Sequence, residues 1–327
     1  MKVTVAKTAG FCFGVNRAVN LVKQLLREEN QVCTLGPIIH NPQTLSQLQK
    51  MGVIEVEKPE EAPEGSTLVI RSHGVSKAVK EQIMHLPVHC VDATCPFVSK
   101  IQEIAGEESR KGRILFLFGD ASHPEVQGIV GHCSGQCNVF LNAQELTDFI
   151  DRREILCDST ISVVAQTTFQ LSEWEKCLKI LKRVYTNARI FDTICNATAA
   201  RQKEAAQLAQ KSDAMLVLGG KQSSNTAKLF EVCRQFAPTY FAQSTEELPL
   251  SALRGVHDLG ITAGASTPAS IIKEVLVTMS EINEDVQNQN TDSAEDSFEE
   301  MLEESLKSLN TDEKVHGVVV GITPTEV

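Results

Sequence analysis

Residues 92–100, DATCPFVSK, set a thiol at a corner: a strand-like run ends, Cys95 appears, and a helix-like run begins. The same corner recurs twice. VTVAKTAGFC (3–12) leads to Cys12 and is followed by FGVNRAVNLVKQLL; ARIFDTIC (188–195) leads to Cys195 and is followed by NATAARQKEAAQLAQ. Asp92 and Asp192 each stand three residues before a cysteine, and a threonine precedes all three by one to four residues. Spacings of 83 and 100 residues suit three similar units in tandem.

Working outward, strand-like runs (KVTVA, STLVIRS, RILFLFG, ISVVAQ, AMLVLGG, DLGITAG) alternate with amphipathic runs of helical length. The helical runs are Val15–Glu28, Pro42–Met51, Phe97–Lys111, Ser172–Tyr185, Ala197–Lys211, Asn225–Gln235 and Pro268–Ile282. That alternation predicts α/β architecture with parallel sheets. The body spans 1–280, divided near 1–95, 96–194 and 195–280. An acidic, polar linker is expected over 281–297, then a separate segment over 298–327.

A thiol at a helix N-terminus is expected to ionise more easily, because unpaired N–H groups and the helix dipole stabilise the thiolate. Thiolates suit soft metals and iron–sulfur clusters. Three corners around a pseudo-threefold axis supply three ligands and leave a fourth position open. The bland alternative is three buried small hydrophobes. Cys33, Cys90, Cys133, Cys137, Cys157, Cys177 and Cys233 lack the corner context and read as packing residues. The CSGQC pair, Cys133 and Cys137, is the rival metal motif, weakened by having no second half.

Composition narrows the class. The 327 residues carry a net charge of −11, and residues 281–327 alone hold 13 acidic residues against two lysines. The first 280 residues therefore balance, and the acidity marks an appendage. No apolar run is long enough to cross a membrane and the first residues lack a signal-peptide core, so a cytoplasmic protein with reduced thiols is expected.

Polar residues gather at the ends of the same strands, where parallel sheets place their ligands. These are His40 in GPIIHNPQ, His73 in VIRSHGVS, and His123 with Glu125 in LFGDASHPEVQG. LVLGGKQSSNTAKL places Ser223, Ser224 and Asn225 at a helix start, the design of a phosphate cradle although not a Walker A loop. Ser266 in GITAGASTPAS repeats the idea, and Thr167 in VVAQTTF adds a hydroxyl. Together they suggest a small phosphorylated substrate. His85, His89, His132, His257 and His316 lack this setting and read as structural or exposed.

GFCFGVNRAV, HNP, SHGVS, DATCP, HPEVQG, QTT, ICNAT, SSN and TAGAS, in this order over residues 1 to about 280, resemble the 4-hydroxy-3-methylbut-2-enyl diphosphate reductases. These are the last enzymes of the methylerythritol phosphate route to isoprenoids. The resemblance implies a trefoil of three α/β units around one central [4Fe–4S] cluster. It implies Cys12, Cys95 and Cys195 as ligands of three irons, with the fourth open. His40, His73, His123, Ser223, Ser224, Asn225 and Ser266 would hold the diphosphate. Glu125 would supply protons, and Thr167 would bond the hydroxyl or its carrier. The products would be isopentenyl and dimethylallyl diphosphate. With no nucleotide-binding fingerprint, electrons would come from a ferredoxin or flavodoxin.

Residues 298–327, FEEMLEESLKSLNTDEKVHGVVVGITPTEV, resemble the start of an S1-type RNA-binding domain. A complete barrel needs five strands, so RNA or ribosome binding is expected only if the parent protein continues. Two other functions compete. A quinolinate synthase-like iron–sulfur enzyme would take a dicarboxylate and show more basic residues in a different motif order. A zinc-stabilised module that binds RNA through its tail would lack the brown colour of a cluster.

Overall fold

The computed structural model describes residues 1–28, 31–153 and 155–288. The chain divides into two units, Met1–Met279 and Ser280–Val327. His316 and the S1-like segment lie outside the described residues.

Strand β1 (Lys2–Val5) and helix α1 (Phe13–Glu28) come first. A sheet unit follows: β2 (Val32–Leu35), α2 (Pro42–Lys50), β3 (Ile54–Val56), β4 (Thr67–Ile70), α3 (Lys77–Met84) and β5 (His89–Asp92). Helix α4 (Pro96–Arg110) leads to the second, made of β6 (Ile114–Phe118), α5 (Pro124–Val130), β7 (Cys137–Phe140), α6 (Ala143–Asp151), β8 (Ile161–Ala165), α7 (Leu171–Val184) and β9 (Arg189–Ile190). Helix α8 (Asn196–Ala209) opens the third, with β10 (Ala214–Leu218), α9 (Ser224–Cys233), β11 (Thr239–Ala242), β12 (Asp258–Ala263) and α10 (Ala269–Asn288).

The three four-stranded sheets run β3-β2-β4-β5, β7-β6-β8-β9 and β11-β10-β12-β1, and every pairing is parallel. Each has its first and third strands at the centre. All residues of β2, β4, β8 and β10 are buried. Parallel strands covered on both faces carry such continuous apolar runs. Each fully buried Val, Leu or Ile contributes about 1.5–3 kcal/mol relative to exposure, so burial decides which strands lie inside.

The tandem boundaries need one correction. β1, read from the sequence as part of the first unit, pairs with β12 from Lys2↔Asp258 to Val5↔Ile261 and completes the third sheet. Helix α10 also runs through Asn288 rather than ending at Ile282, since no Gly or Pro interrupts it. The periodic signal passed over α3, α5 and α6, which are only 8, 7 and 9 residues long.

Candidate functional site

The trefoil makes the three cysteine corners equivalent. In each unit the strand in the fourth position (β1, β5, β9) leads to the cysteine, and a helix (α1, α4, α8) starts at the next residue. Cys12 N–H donates to the Ala265 carbonyl at 3.1 Å, Cys95 N–H to Ser72 at 2.9 Å and Cys195 N–H to Thr167 at 3.1 Å. Each acceptor follows the unit's third strand. Each cysteine carbonyl in turn accepts from the first helical turn: from Asn16 at 2.9 Å, Ser99 at 3.0 Å and Ala199 at 2.9 Å. The backbone thus fixes all three thiols at helix starts.

The threonines before the cysteines brace these corners. Asp92 accepts from the Thr94 N–H at 2.9 Å and from its hydroxyl, and pairs with Lys80 at 2.8 Å. Thr193 Oγ1 donates to the Ala165 carbonyl at 2.7 Å. Thr8 donates through N–H (2.8 Å) and hydroxyl (2.6 Å) to Glu204.

All twelve candidate residues line one cavity: Cys12, Cys95, Cys195, His40, His73, His123, Glu125, Thr167, Ser223, Ser224, Asn225 and Ser266. The space they enclose is about 100 Å³. The polar residues enter at the switch points between first and third strands. His40 and His73 follow β2 and β4; His123 and Thr167 follow β6 and β8; Ser223–Asn225 and Ser266 follow β10 and β12.

The histidines form a cluster, with ring centroids 4.7 Å apart for His40–His73, 5.3 Å for His73–His123 and 5.9 Å for His40–His123. Burial lowers the pKa of each, helped by the positive charge of Arg71. For His73 the other two imidazoles add to the effect, and for His123 burial and His40 bring the value to about 4. His123 accepts from the Glu125 N–H at 3.2 Å through Nδ1, so its neutral ring carries the proton on Nε2. Three neutral imidazoles, each with a ring nitrogen within 4.8 Å of one on the others, are able to ligate an ion or donate to an anion. Arg71 and the hydroxyls opposite favour the anion.

The opposite wall is built from α9 and the turn before α10. Ser266 Oγ lies 3.1 Å from the His40 carbonyl and 3.3 Å from Ser223 Oγ, and Ser224 Oγ lies 2.9 Å from Thr168 Oγ1. Asn225 is 3% exposed, yet neither its Nδ2 nor its Oδ1 has a partner. His40 Nε2 and His73 Nδ1 are also unpartnered. Unpaired buried polar atoms are costly, and their concentration on one cavity marks a polar ligand's place.

Glu125, 2% exposed, accepts from the Thr167 N–H and hydroxyl, each at 2.7 Å. Burial raises its pKa against those two bonds, so the neutral acid is favoured more than in water.

The thiols depart from expectation. The helix N–H groups of Phe97 and Val98 do stabilise the Cys95 thiolate, and those of Ala197 and Thr198 the Cys195 thiolate, but burial outweighs them and both pKa values are raised. Burial thus favours the protonated thiols, and a metal binds by displacing those protons. Three soft donors from three units, partly buried around one point, fit a thiophilic centre. Among the described residues the histidines alone bring three ligand atoms within 4.8 Å of one another. Gly14 makes room for one of the thiols: a Cβ there would meet Cys95 Sγ at 2.6 Å.

Sequence reasoning missed one buried cation and one half-buried one. Arg201, 4% exposed on α8, donates to the Thr8 carbonyl at 2.8 Å and the Gly10 carbonyl at 2.7 Å, so it pins the loop leading to Cys12. Burial lowers its pKa, opposed in smaller measure by Cys12, Cys195 and Glu204 when they carry negative charge. Its signal was an arginine six residues into a helix otherwise rich in alanine. Arg71, beside the histidines, stood unremarked within a quoted motif. The packing assignment of the remaining cysteines also needs correction: Cys33, Cys177 and Cys233 are buried, but Cys90 and Cys157 are exposed because they sit on an edge strand and in a surface loop. Cys133 and Cys137 lie outside the cavity.

The profile of the LytB protein family matches residues 3–280. The 4-hydroxy-3-methylbut-2-enyl diphosphate reductase of Citrifermentans bemidjiense is 41% identical over 286 residues, 87% of this chain and 99% of that protein. The protein of the same name from Caldanaerobacter subterraneus is 40% identical over 294 residues, covering 88% and 100%. Among solved structures, the Plasmodium falciparum E-1-hydroxy-2-methyl-but-2-enyl-4-diphosphate reductase matches with a TM-score of 0.79 and 25% identity over 86% of this chain and 87% of that one. A second, the (E)-4-hydroxy-3-methyl-but-2-enyl diphosphate reductase described as the terminal enzyme of the non-mevalonate pathway, matches with a TM-score of 0.62 and 36% identity over 86% and 100%.

Proposed function

This chain belongs to the LytB protein family, and from that premise we propose that it reduces 4-hydroxy-3-methylbut-2-enyl diphosphate. The hydroxyl leaves as water, two electrons and two protons are consumed, and the products are isopentenyl and dimethylallyl diphosphate. One observation carries the reading: a corner cysteine from each unit reaches the same cavity as three neutral imidazoles and the unpartnered Asn225 amide.

Cys12, Cys95 and Cys195 would hold a [4Fe–4S] cluster, one per chain. When bound, it supplies single electrons and an open, Lewis-acidic iron. The remaining work falls to the protein. His40, His73 and His123 donate ring N–H groups to the diphosphate, and Arg71 adds positive potential behind them. Ser223, Ser224 and Asn225 meet the same anion at the start of the ten-residue helix α9, where free N–H groups and the dipole favour negative charge. Ser266 completes that wall.

Glu125 holds the proton. Its Oε2 is hydrogen-bonded to Thr167 Oγ1, so the threonine hydroxyl relays a proton from a buried carboxyl to the departing oxygen. Burial serves twice: it favours the neutral acid more than water would, and it keeps bulk water from the reacting carbon. The donor of electrons is an external carrier of the ferredoxin or flavodoxin kind, and the compartment is the reducing cytoplasm. Among the described residues no helix is long and apolar enough to cross a membrane. RNA or ribosome binding would require a complete S1 domain in the parent protein.

The deciding experiment is anaerobic reconstitution with iron and sulfide, followed by turnover with a chemical reductant. Wild-type protein is expected to be brown and active, and Cys95→Ser to lose both properties while remaining folded. A colourless wild type that binds only zinc, or a fully active Cys95→Ser variant, overturns the reading.

A further inference from the structure

Helix α8 carries more than the Cys195 corner. One turn of it, from Arg201 to Glu204, holds the loop leading to Cys12 by both its carbonyls and its N–H groups. Arg201 donates through Nε to the Thr8 carbonyl at 2.8 Å and through Nη2 to the Gly10 carbonyl at 2.7 Å. Glu204 accepts from the Lys7 N–H at 2.8 Å, the Thr8 N–H at 2.8 Å and the Thr8 hydroxyl at 2.6 Å. Cys12 stands two residues beyond the last of these carbonyls. Arg17 on α1 pins the next corner in the same way. Its Nη1 donates to the Ala93 carbonyl at 3.3 Å and the Thr94 carbonyl at 3.1 Å, just ahead of Cys95.

Arg201 differs from Arg17 in two respects. It is 4% exposed, whereas Arg17 is half-buried. Its Nη1 is buried without a partner among the described residues, and the side chain lines the cavity shared by Cys12, Cys95 and Cys195. A guanidinium is planar and stays charged, so two nitrogens bonded to carbonyls fix where the third points. A buried N–H left over in a fixed position calls for a ligand. The path of the chain favours the sulfurs: Gly10 lies two residues from Cys12, and Arg201 shares α8 with the Cys195 corner. The diphosphate cradle is built instead from α9, Ser266 and the histidines.

On the reading that these cysteines hold an iron–sulfur cluster, we propose that Arg201 is its positioning residue. Nε and Nη2 set the backbone ahead of Cys12, and the N–H groups of Nη1 face the Cys12 and Cys195 sulfurs. A fixed positive charge there stabilises the reduced, more negative cluster and raises its reduction potential. Lysine supplies the charge but has no fork to span both carbonyls.

The test is a redox titration of substrate-free, reconstituted holoprotein followed by electron paramagnetic resonance, with iron per chain and apo-protein melting measured alongside. Losing a hydrogen bond to a charged group shifts an equilibrium by about tenfold or more. Arg201→Gln should therefore make one-electron reduction about tenfold less favourable, which is about 59 mV. Arg201→Lys should keep a potential near wild type, while iron bound at limiting iron falls about tenfold because the fork is lost. Glu204→Gln loosens the same loop but removes a negative charge, so its potential should stay level or rise. If loop placement alone mattered, Arg201→Gln and Glu204→Gln would both lower the potential, and that result overturns the proposal. An unchanged potential in Arg201→Gln with full iron also overturns it. So does pyrophosphate inhibition weakened tenfold at unchanged potential, which would give Nη1 to the diphosphate. Should Arg201→Gln fail to fold, Arg201→Lys decides: a wild-type potential with impaired iron uptake supports the role, and a tenfold less favourable reduction refutes it. Wild-type protein that takes up no cluster sinks the proposed function, and this role with it.

Discussion

Gly14→Ala tests the cysteine geometry without touching a cysteine. Gly14 is the second residue of α1, and a Cβ built there would stand 2.6 Å from Cys95 Sγ and 3.1 Å from Cys95 Cβ. Ordinary contact at such an atom is 3.4–4 Å. The Cys95 sulfur must therefore retreat by about 1 Å. Its backbone cannot follow, because the N–H is bonded to Ser72 and the carbonyl to Ser99. Rotation of the thiol is the available response, and metal–ligand distances tolerate only about 0.2 Å. A change just outside the ligand set typically costs about 10–100-fold in metal affinity.

The fold itself should survive. Alanine is favoured over glycine in a helix by about 1 kcal/mol, which offsets a local clash of about 1–3 kcal/mol that side-chain rotation relieves. The apo protein is expected to melt within a few degrees of wild type, while iron bound per chain after anaerobic reconstitution falls at least tenfold at limiting iron, as a 10–100-fold affinity loss implies. Iron content, the visible absorption of the cluster and thermal melting are the assays. A Gly14→Ala protein with full iron and wild-type turnover would show that Cys95 does not bind from the position described. Loss of the fold would show that packing at this helix start, rather than ligand placement, limits the site.

Glu125→Gln preserves shape and hydrogen bonding but cannot give up a proton; it should bind cluster and substrate almost normally and lose at least about a hundredfold in turnover, the lower end for a general acid. Wild-type turnover with a confirmed reduced cluster would move the proton source elsewhere. Pyrophosphate should inhibit competitively with substrate, and Asn225→Ala should weaken that inhibition about tenfold or more, since a hydrogen bond to a charged group contributes about 1.5–3 kcal/mol; an unchanged inhibition constant removes Asn225 from the cradle. His123, ordinarily near 6.5, is held at about 4 by burial. Above 6.5 both folded and unfolded states are neutral at this residue; between 6.5 and 4 only the unfolded chain takes up the proton, so apo-protein stability should fall as pH drops through that window. His123→Gln should reduce the slope in urea titrations, and an identical slope in both proteins would refute the assignment.

Much of the site was legible because its signals are local. Each cysteine corner is an apolar run, a thiol and a helix start within a short stretch of chain, and the periodicity of each part is visible there. The strand-end residues His40, His73, His123, Ser223 and Ser266 were legible for the same reason: in a parallel sheet, the residues just past a buried strand face the ligand edge wherever the strand lies. What the chain does not display locally is which strands become neighbours. β1 joins β12 across more than 250 residues of sequence and takes the fourth position of the third sheet.

Burial is equally non-local. Nothing local marks Arg201 for burial or sets Arg71 beside the histidines, and the Glu125–Thr167 pair forms across 42 residues. The thiols show the difference in sign. A helix start, visible in sequence, favours the thiolate; the enclosing protein, visible only in three dimensions, favours the thiol, and at Cys95 and Cys195 the enclosure wins. Residue type and local geometry depend on near neighbours, so sequence by itself determined which groups stand at the strand ends. Solvent access and charge balance depend on every unit at once, so only the tertiary structure decided their protonation and their partners.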